Sequence, residues 1–126
     1  MNTETEELLG WIEKIKESDK LIIVEGKEDK KALSNLGLMN VIQLGRKPLY
    51  KVVEIVVKKG EDVIILTDLD REGKKLYARL NHELGQFGIK IDNRFRNFLF
   101  RNTTLRQIEG MDSYINRLEI KVKYLN

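Results

Sequence analysis

The sequence predicts an α/β fold in which helices flank a mainly parallel sheet of about four strands. Two continuous apolar runs, LIIVEG and DVIILTD, are typical of strands that are buried on both faces of a sheet. Segments with apolar residues at helical spacing separate these runs. Strands that alternate with helices imply parallel pairing through right-handed crossovers. The length of 126 residues suits a single domain over 1–126, with its core at about 20–118.

The first half of the chain contains three predicted helices and two predicted strands. An amphipathic helix is expected at about 4–17, followed by a strand at 21–26, a short helix at 28–36 and a strand at 41–45. A third helix is expected over 48–60, because proline suits a first helical turn and glycine suits a helix end. The β-branched run VVEIVV within it leaves a strand open as an alternative.

The second half continues the alternation. Residues 62–68 form the most strand-like segment, and a helix follows from about Arg71 with Asp70 as its N-cap. The buried face of this helix is predicted to carry Leu76, Leu80, Leu84 and Phe87, whereas His82 is expected on the solvent side. Residues 89–91 are predicted as a fourth short strand. Residues 107–115 are interpreted as an edge strand that leads into a closing helix with Tyr114, Ile115 and Leu118 directed inward.

Composition excludes several kinds of site. Without cysteine, the chain has neither a disulfide framework nor a thiolate zinc site. One histidine and no cysteine give little support to Cys/His or Ser/His nucleophilic catalysis. The acidic N-terminus has no apolar signal-peptide region, and no apolar run approaches the roughly 20 residues that a membrane span needs. We therefore expect a cytoplasmic protein that does not bind membranes, and its net charge of +3 weakly favours a polyanionic partner.

Acidic residues follow the first and third strands. Glu25 ends the first strand, and Asp68 and Asp70 end the third. Parallel strands end at one edge of a sheet, so these carboxylates are expected to converge if the two strands are neighbours. Their mutual repulsion would be relieved by a divalent cation, and Mg²⁺, with Mn²⁺ as a substitute, prefers such oxygen ligands. Glu25 is either a third ligand or a general acid or base.

A purely structural reading of the same residues stays open. Asp68 then serves as a turn residue and Asp70 only as a helix cap. Gly73 is expected to allow a backbone or a phosphate to approach closely. Glu109 is interpreted as a turn residue in preference to an outer group of the metal site.

Basic residues are predicted around this acidic site. Six of them lie near strand ends or at the starts of the following helices and are candidates for phosphate binding: Lys27, Arg46, Lys47, Arg71, Lys74 and Lys75. The segment RFRNFLFR, at 94–101, interleaves arginine with phenylalanine, a pattern that suits nucleic-acid surfaces. The favoured interpretation is that its rings pack inward, and the role of its arginines is left open.

Two motifs resemble those of a known family. VEGKED, at 24–29, and ILTDLDREGKKL, at 65–76, are similar to the glutamate-glycine and D-x-D-x-x-G motifs of Toprim domains, which occur in topoisomerases, primases and nucleases. The resemblance implies a Rossmann-like fold, with Glu25, Gly26, Asp68, Asp70 and Gly73 at its motif positions. Leu69 replaces the proline of type IA topoisomerases, and Lys74 stands where they carry an acidic residue.

The resemblance implies a small stand-alone Toprim protein. Topoisomerases need further domains, and primases need a zinc-binding module, for which there is no cysteine. The remaining likeness is to ribosomal-RNA-maturation and OLD-type nucleases, which implies Mg²⁺-dependent phosphodiester cleavage, favouring RNA or single-stranded ends. The alternative is a non-catalytic nucleic-acid-binding or accessory module that acts with a protein partner, and a homodimer also stays open. A phosphate-accepting receiver domain is less favoured, because Glu25 is followed by glycine where an acidic pair is expected.

Overall fold

The structure, a computed structural model, describes residues 3–125 and the side chains of 5–119. Helices and strands alternate over the first seven elements, and only helical elements follow. The strands are β1 (Leu21–Val24), β2 (Val41–Gln43) and β3 (Val63–Ile65). The helices are α1 (Thr3–Ser18), α2 (Lys27–Asn35), α3 (Leu49–Lys59), α4 (Arg71–Gln86), α5 (Arg94–Asn102) and α6 (Met111–Leu125), with a short 3-10 helix at Ile108–Gly110 before α6. No helix within this part of the chain is both long and apolar enough to span a membrane.

The three strands form one parallel sheet in the order β2-β1-β3. Ile22 of the central strand pairs with Val41 on one side and with Ile64 on the other. The predicted α/β class and parallel pairing are confirmed. Because β1 and β3 are neighbours, the residues that follow them emerge at the same edge, which we call the carboxyl edge of the sheet.

The sheet has a packed layer on each face, and strand residues alternate between the two layers. Ile22 and Ile64 lie in the layer that contains α1, α2, α5 and the start of α6. Ile23 and Ile65 lie in the layer formed with α3 and α4. This covering of both faces is the reason why β1 and β3 consist of apolar residues without alternation.

The ambiguous segment VVEIVV is helical. Val52, Val53 and Val56 are buried on one face of α3, which ends at Gly60 with a left-handed φ of 65°. Burial on a single helical face outweighs the β propensity of these valines. The expected inward packing of the α5 rings is found for Phe95 and Phe100, which are buried, whereas Phe98 is half-buried and packs against the same core.

Two predicted strands are wrong. Residues 89–91 make only one bridge, between Ile91 and Val63, because the chain then turns into α5, where the Arg94 amide donates to Oδ1 of Asp92. Residues 107–115 form no strand. Their Ile108 amide donates to the carboxylate of Asp68 at 2.8 Å, and the chain continues into the 3-10 helix and α6.

One residue that was predicted on the buried face of α4 is exposed. Leu80 and Leu84 are fully buried, whereas Phe87 is 61% exposed. Phe87 lies one residue beyond the last helical residue and adopts a non-helical backbone conformation, so it leaves the buried face that the helical spacing predicts. His82 is exposed, as expected.

Candidate functional site

Glu25 and Asp68 are joined directly at the carboxyl edge. The Asp68 amide donates to Oε2 of Glu25 at 2.7 Å, although 43 residues separate the two in the chain. The loop after β2 lies beside them, because the Gly45 amide donates to the Glu25 carbonyl oxygen at 2.9 Å. The structure therefore brings together the turns that follow all three strands.

The segment 68–70, which we call the acidic loop, is fixed by its own hydrogen bonds. Oδ1 of Asp68 accepts from the Ile108 amide at 2.8 Å, and Oδ1 of Asp70 accepts from the Gly73 amide at 2.7 Å as the N-cap of α4. In each of Glu25, Asp68 and Asp70, one carboxylate oxygen thus accepts a hydrogen bond from a backbone amide. Within residues 5–119 no N–H group donates to the other oxygen of any of these carboxylates.

Burial and like charge oppose ionisation of these carboxyl groups. Burial raises the pKa of the Glu25 carboxyl above its usual value, and the charges of Asp68, Asp70 and Asp29 raise it further. Burial likewise raises the pKa of Asp68, with a further contribution from Asp70, whereas the guanidinium of Arg96 lowers it. A divalent cation at this edge would stabilise the ionised forms.

The donor set fits Mg²⁺ in one binding mode. No three acidic or histidine side chains in the described part of the chain form a group close enough to enclose a metal ion. The expected convergence of three carboxylates is therefore met in part: Glu25 and Asp68 are linked, and Asp70 caps its own helix. Mg²⁺ commonly binds one or two carboxylates and completes its shell with water and substrate phosphate. The free oxygens of Asp68 and Asp70 suit that mode.

Asp29 is a site residue that the sequence interpretation missed. Its side chain is buried, and Oδ2 accepts from the Gly26 amide at 3.0 Å. This bond fixes the turn that carries Glu25 into α2. Burial raises the pKa of Asp29, and the charges of Asp68 and Glu109 add to the effect. The signal in the sequence was an acidic residue three positions after Gly26, as at the third helical position of a capping box.

Arg96 is the second missed residue. It is buried, and its guanidinium donates to the carbonyl oxygens of Thr67 at 3.2 Å and Asp68 at 3.1 Å. The same group lies over the rings of Tyr77 and Phe100, at 4.5 and 5.2 Å from their centroids. Arg96 thus holds the backbone of the acidic loop and supplies a positive charge to it. Arg96 and Phe100 are four residues apart and so lie on one face of the helix. This spacing was the signal in the sequence that Arg96 is buried.

Replacing Arg96 by methionine is expected to destabilise the fold by about 2 kcal/mol, because two carbonyl oxygens at the acidic loop lose their donor. Lysine should restore part of this loss, since it keeps the charge but not the planar fork of donors. Denaturant midpoints would measure both effects, with the exposed Arg101 of the same helix, replaced by methionine, as the control. Equal stability of Arg96→Met and wild type would show that these hydrogen bonds contribute nothing.

The basic candidates all lie on segments that begin near the carboxyl edge, and all are exposed. Lys27 is the first residue of α2, and Arg46 and Lys47 follow Gly45 in the loop beside Glu25. Arg71, Lys74 and Lys75 occupy the start of α4. Glu109 is exposed in the 3-10 helix, where it is a turn residue.

Comparison with known proteins identifies the family. The Toprim domain model matches residues 20–100. A UPF0292 protein of Methanocaldococcus jannaschii is 39% identical over 118 residues, covering 89% of this chain and 92% of the relative. A UPF0292 protein of Methanosarcina acetivorans is 35% identical over 119 residues, covering 92% and 83%. Among solved structures, a protein from Aquifex aeolicus superimposes with a TM-score of 0.74 at 37% identity, over 83% of this chain and 95% of its own.

The family match includes both motifs that carried the resemblance, because 24–29 and 65–76 lie within the matched residues. It connects the chain in general terms with nucleic acid and with metal-dependent chemistry. The chain belongs to the Toprim domain family and is grouped by sequence with the UPF0292 proteins.

Proposed function

We propose that this protein is a Mg²⁺-dependent phosphodiesterase that cleaves nucleic acid, with RNA or single-stranded ends as its substrates. The observation that supports this most directly is the 2.7 Å hydrogen bond between the Asp68 amide and Glu25, which unites the two Toprim motifs at the carboxyl edge. The basic residues on the surrounding segments support a polyanionic substrate.

Each residue type has a distinct role in this proposal. Asp68 and Asp70 hold Mg²⁺, which when bound polarises the phosphodiester and stabilises the leaving oxygen. Glu25 moves a proton to or from a reacting oxygen, a task that suits a carboxyl group with a raised pKa. The phosphates on either side are positioned by exposed cations: Lys27, Arg46, Lys47, Arg71, Lys74 and Lys75.

The second candidate function is a nucleic-acid-binding or accessory module that works with a protein partner. The observation that favours it is that no group of three acidic side chains encloses a metal position among residues 5–119. Under this alternative the acidic loop is a structural turn, and the basic surroundings serve binding alone.

Metal removal separates these two functions. Wild-type protein incubated with a mixed pool of labelled RNA and DNA oligonucleotides is expected to cleave when Mg²⁺ or Mn²⁺ is present, and to stop when a chelator is added. Asp68→Asn, purified in parallel, is the control for a contaminating nuclease. Asparagine can still accept the hydrogen bond from the Ile108 amide, but it lacks the negative charge that binds the metal. Binding of the oligonucleotides without Mg²⁺-dependent cleavage would reject the nuclease and leave the accessory module.

A further inference from the structure

A cleft opens directly beside the acidic loop. Its volume is about 450 Å³, and it lies between the segment that follows α5 and the first turns of α6. The residues that line it include Asp70, Leu105, Arg106, Gln107, Tyr114 and Arg117. We call it the Arg106–Arg117 cleft. The volume is in the range of about 300–1,000 Å³ that small-molecule sites occupy, so it has room for a nucleotide.

Two hydrogen bonds fasten this cleft to the acidic loop. The Leu69 amide donates to the carbonyl oxygen of Arg106 at 2.9 Å, and the Ile108 amide donates to Oδ1 of Asp68 at 2.8 Å. The cleft wall and the candidate metal ligands therefore form one connected unit. Asp70 itself lines the cleft, so a ligand bound there lies beside the acidic loop.

The lining offers one ring and two guanidinium groups. Nη1 of Arg106 donates to the carbonyl oxygens of Thr103 at 3.1 Å and Leu105 at 2.7 Å, which fixes the orientation of the side chain. Its other nitrogens donate to no group among residues 5–119, although guanidinium carries five N–H donors. Tyr114 is half-buried and Arg117 is exposed, and a spacing of three places them on the same side of α6.

We propose that the Arg106–Arg117 cleft binds one or two unpaired nucleotides next to the cleaved phosphate, with a base against Tyr114 and phosphate oxygens at Arg106 and Arg117. This proposal rests on the proposed function and adds the place where unpaired nucleotides bind and the residues that contact them. Only an unpaired base exposes the face that stacks on an aromatic ring. Asp70 and Glu109 also line the cleft, so its formal charges balance and its affinity for phosphate should rise when a divalent cation is present.

The test measures binding apart from cleavage. Fluorescence anisotropy of labelled six-nucleotide single strands of RNA and of DNA, and of a matched duplex, is recorded with Ca²⁺ or with a chelator. Tyr114→Leu and Arg117→Gln are each expected to weaken single-strand binding about tenfold. Tyr50→Leu and Arg79→Gln change exposed residues outside the cleft and serve as matched controls. Tyr114→Phe keeps the ring and should bind like wild type, which separates stacking from loss of packing.

The outcomes separate the proposal that the cleft binds nucleotides from the proposal that the protein is a nuclease. Equal loss for RNA and DNA supports recognition through base and phosphate, and a larger loss for RNA assigns a contact to the 2′-hydroxyl. If single strands bind and are cleaved but Tyr114→Leu and Arg117→Gln match their controls, the cleft proposal fails and the nuclease stands. If the variants weaken binding and no strand is cleaved, the cleft stands and the nuclease fails. If no oligonucleotide binds, or the duplex binds as tightly as single strands, the cleft proposal is overturned.

Discussion

Gly73→Ala is expected to destabilise the protein by about 4 kcal/mol or more, and to remove any Mg²⁺-dependent activity with it. A Cβ on Gly73 would lie 2.7 Å from the carbonyl carbon of Asp68 and 2.9 Å from its amide nitrogen, and closer still to its carbonyl oxygen. These are backbone atoms of the acidic loop, so they cannot rotate out of the way as the end of a side chain can. Relief of the overlap requires α4 and the loop to move apart.

The bonds around Gly73 resist that movement. Its amide donates to Oδ1 of Asp70 at 2.7 Å, and its carbonyl oxygen accepts from the Thr67 hydroxyl at 2.7 Å. Gly85→Ala in the same helix is the matched control, because nothing lies within 4 Å of its added Cβ and alanine favours helix. Chemical denaturation should show a large loss for Gly73→Ala and a gain of up to about 1 kcal/mol for Gly85→Ala. Equal stability of Gly73→Ala and wild type would contradict the close packing of α4 on the loop.

Asp70→Asn is expected to lower Mg²⁺-dependent cleavage about 100-fold or more while leaving stability nearly unchanged. The loss follows because a metal centre contributes several kcal/mol of charge stabilisation, and each 1.36 kcal/mol corresponds to about tenfold in rate. Stability should hold because asparagine caps a helix about as well as aspartate does. Asp70→Ala should lose the activity and also about 1 kcal/mol of stability, since it cannot accept from the Gly73 amide.

This pair of variants separates the metal ligand from the helix cap. A residue that only caps α4 would leave Asp70→Asn active and make Asp70→Ala less stable. Asp62→Asn is the control for loss of one negative charge, because Asp62 is exposed and precedes β3 at the opposite edge of the sheet. Rates are compared at equal protein concentration after the folded fraction of each variant has been measured. Wild-type activity in Asp70→Asn would reject Asp70 as a ligand.

The α/β class was predictable because its signals are local. The apolar run of β1 and the helical spacing of Leu80 and Leu84 can be read within a few residues, and the structure agrees with both. The errors occur where a long-range contact or a helix end decides the outcome. The Ile108 amide donates to the Asp68 carboxylate and not to a neighbouring strand, so the predicted edge strand does not form. Phe87 lies outside the core because α4 ends one residue before it.

Candidate site residues could be chosen from the sequence, and their roles stay predictions. Glu25, Asp68 and Asp70 follow strand ends, and the family motif supports their choice. Arg96 was not assigned because its partners, Thr67 and Asp68, lie 28 or 29 residues away and are backbone carbonyl groups that no sequence pattern marks. The charge balance at the acidic loop also depends on which side chains the fold places together, which spacing alone does not determine.

Calorimetric titration of Mg²⁺ into the wild type and Asp70→Asn, in the presence of a single-stranded oligonucleotide whose backbone resists cleavage, tests the central claim most directly. Mg²⁺ completes its shell with substrate phosphate, so the oligonucleotide is included to supply that part of the site. We expect saturable Mg²⁺ binding to the wild type and much weaker binding to the variant. Binding of equal strength to both proteins, or to neither, would show that the acidic loop is a structural turn and not a metal centre.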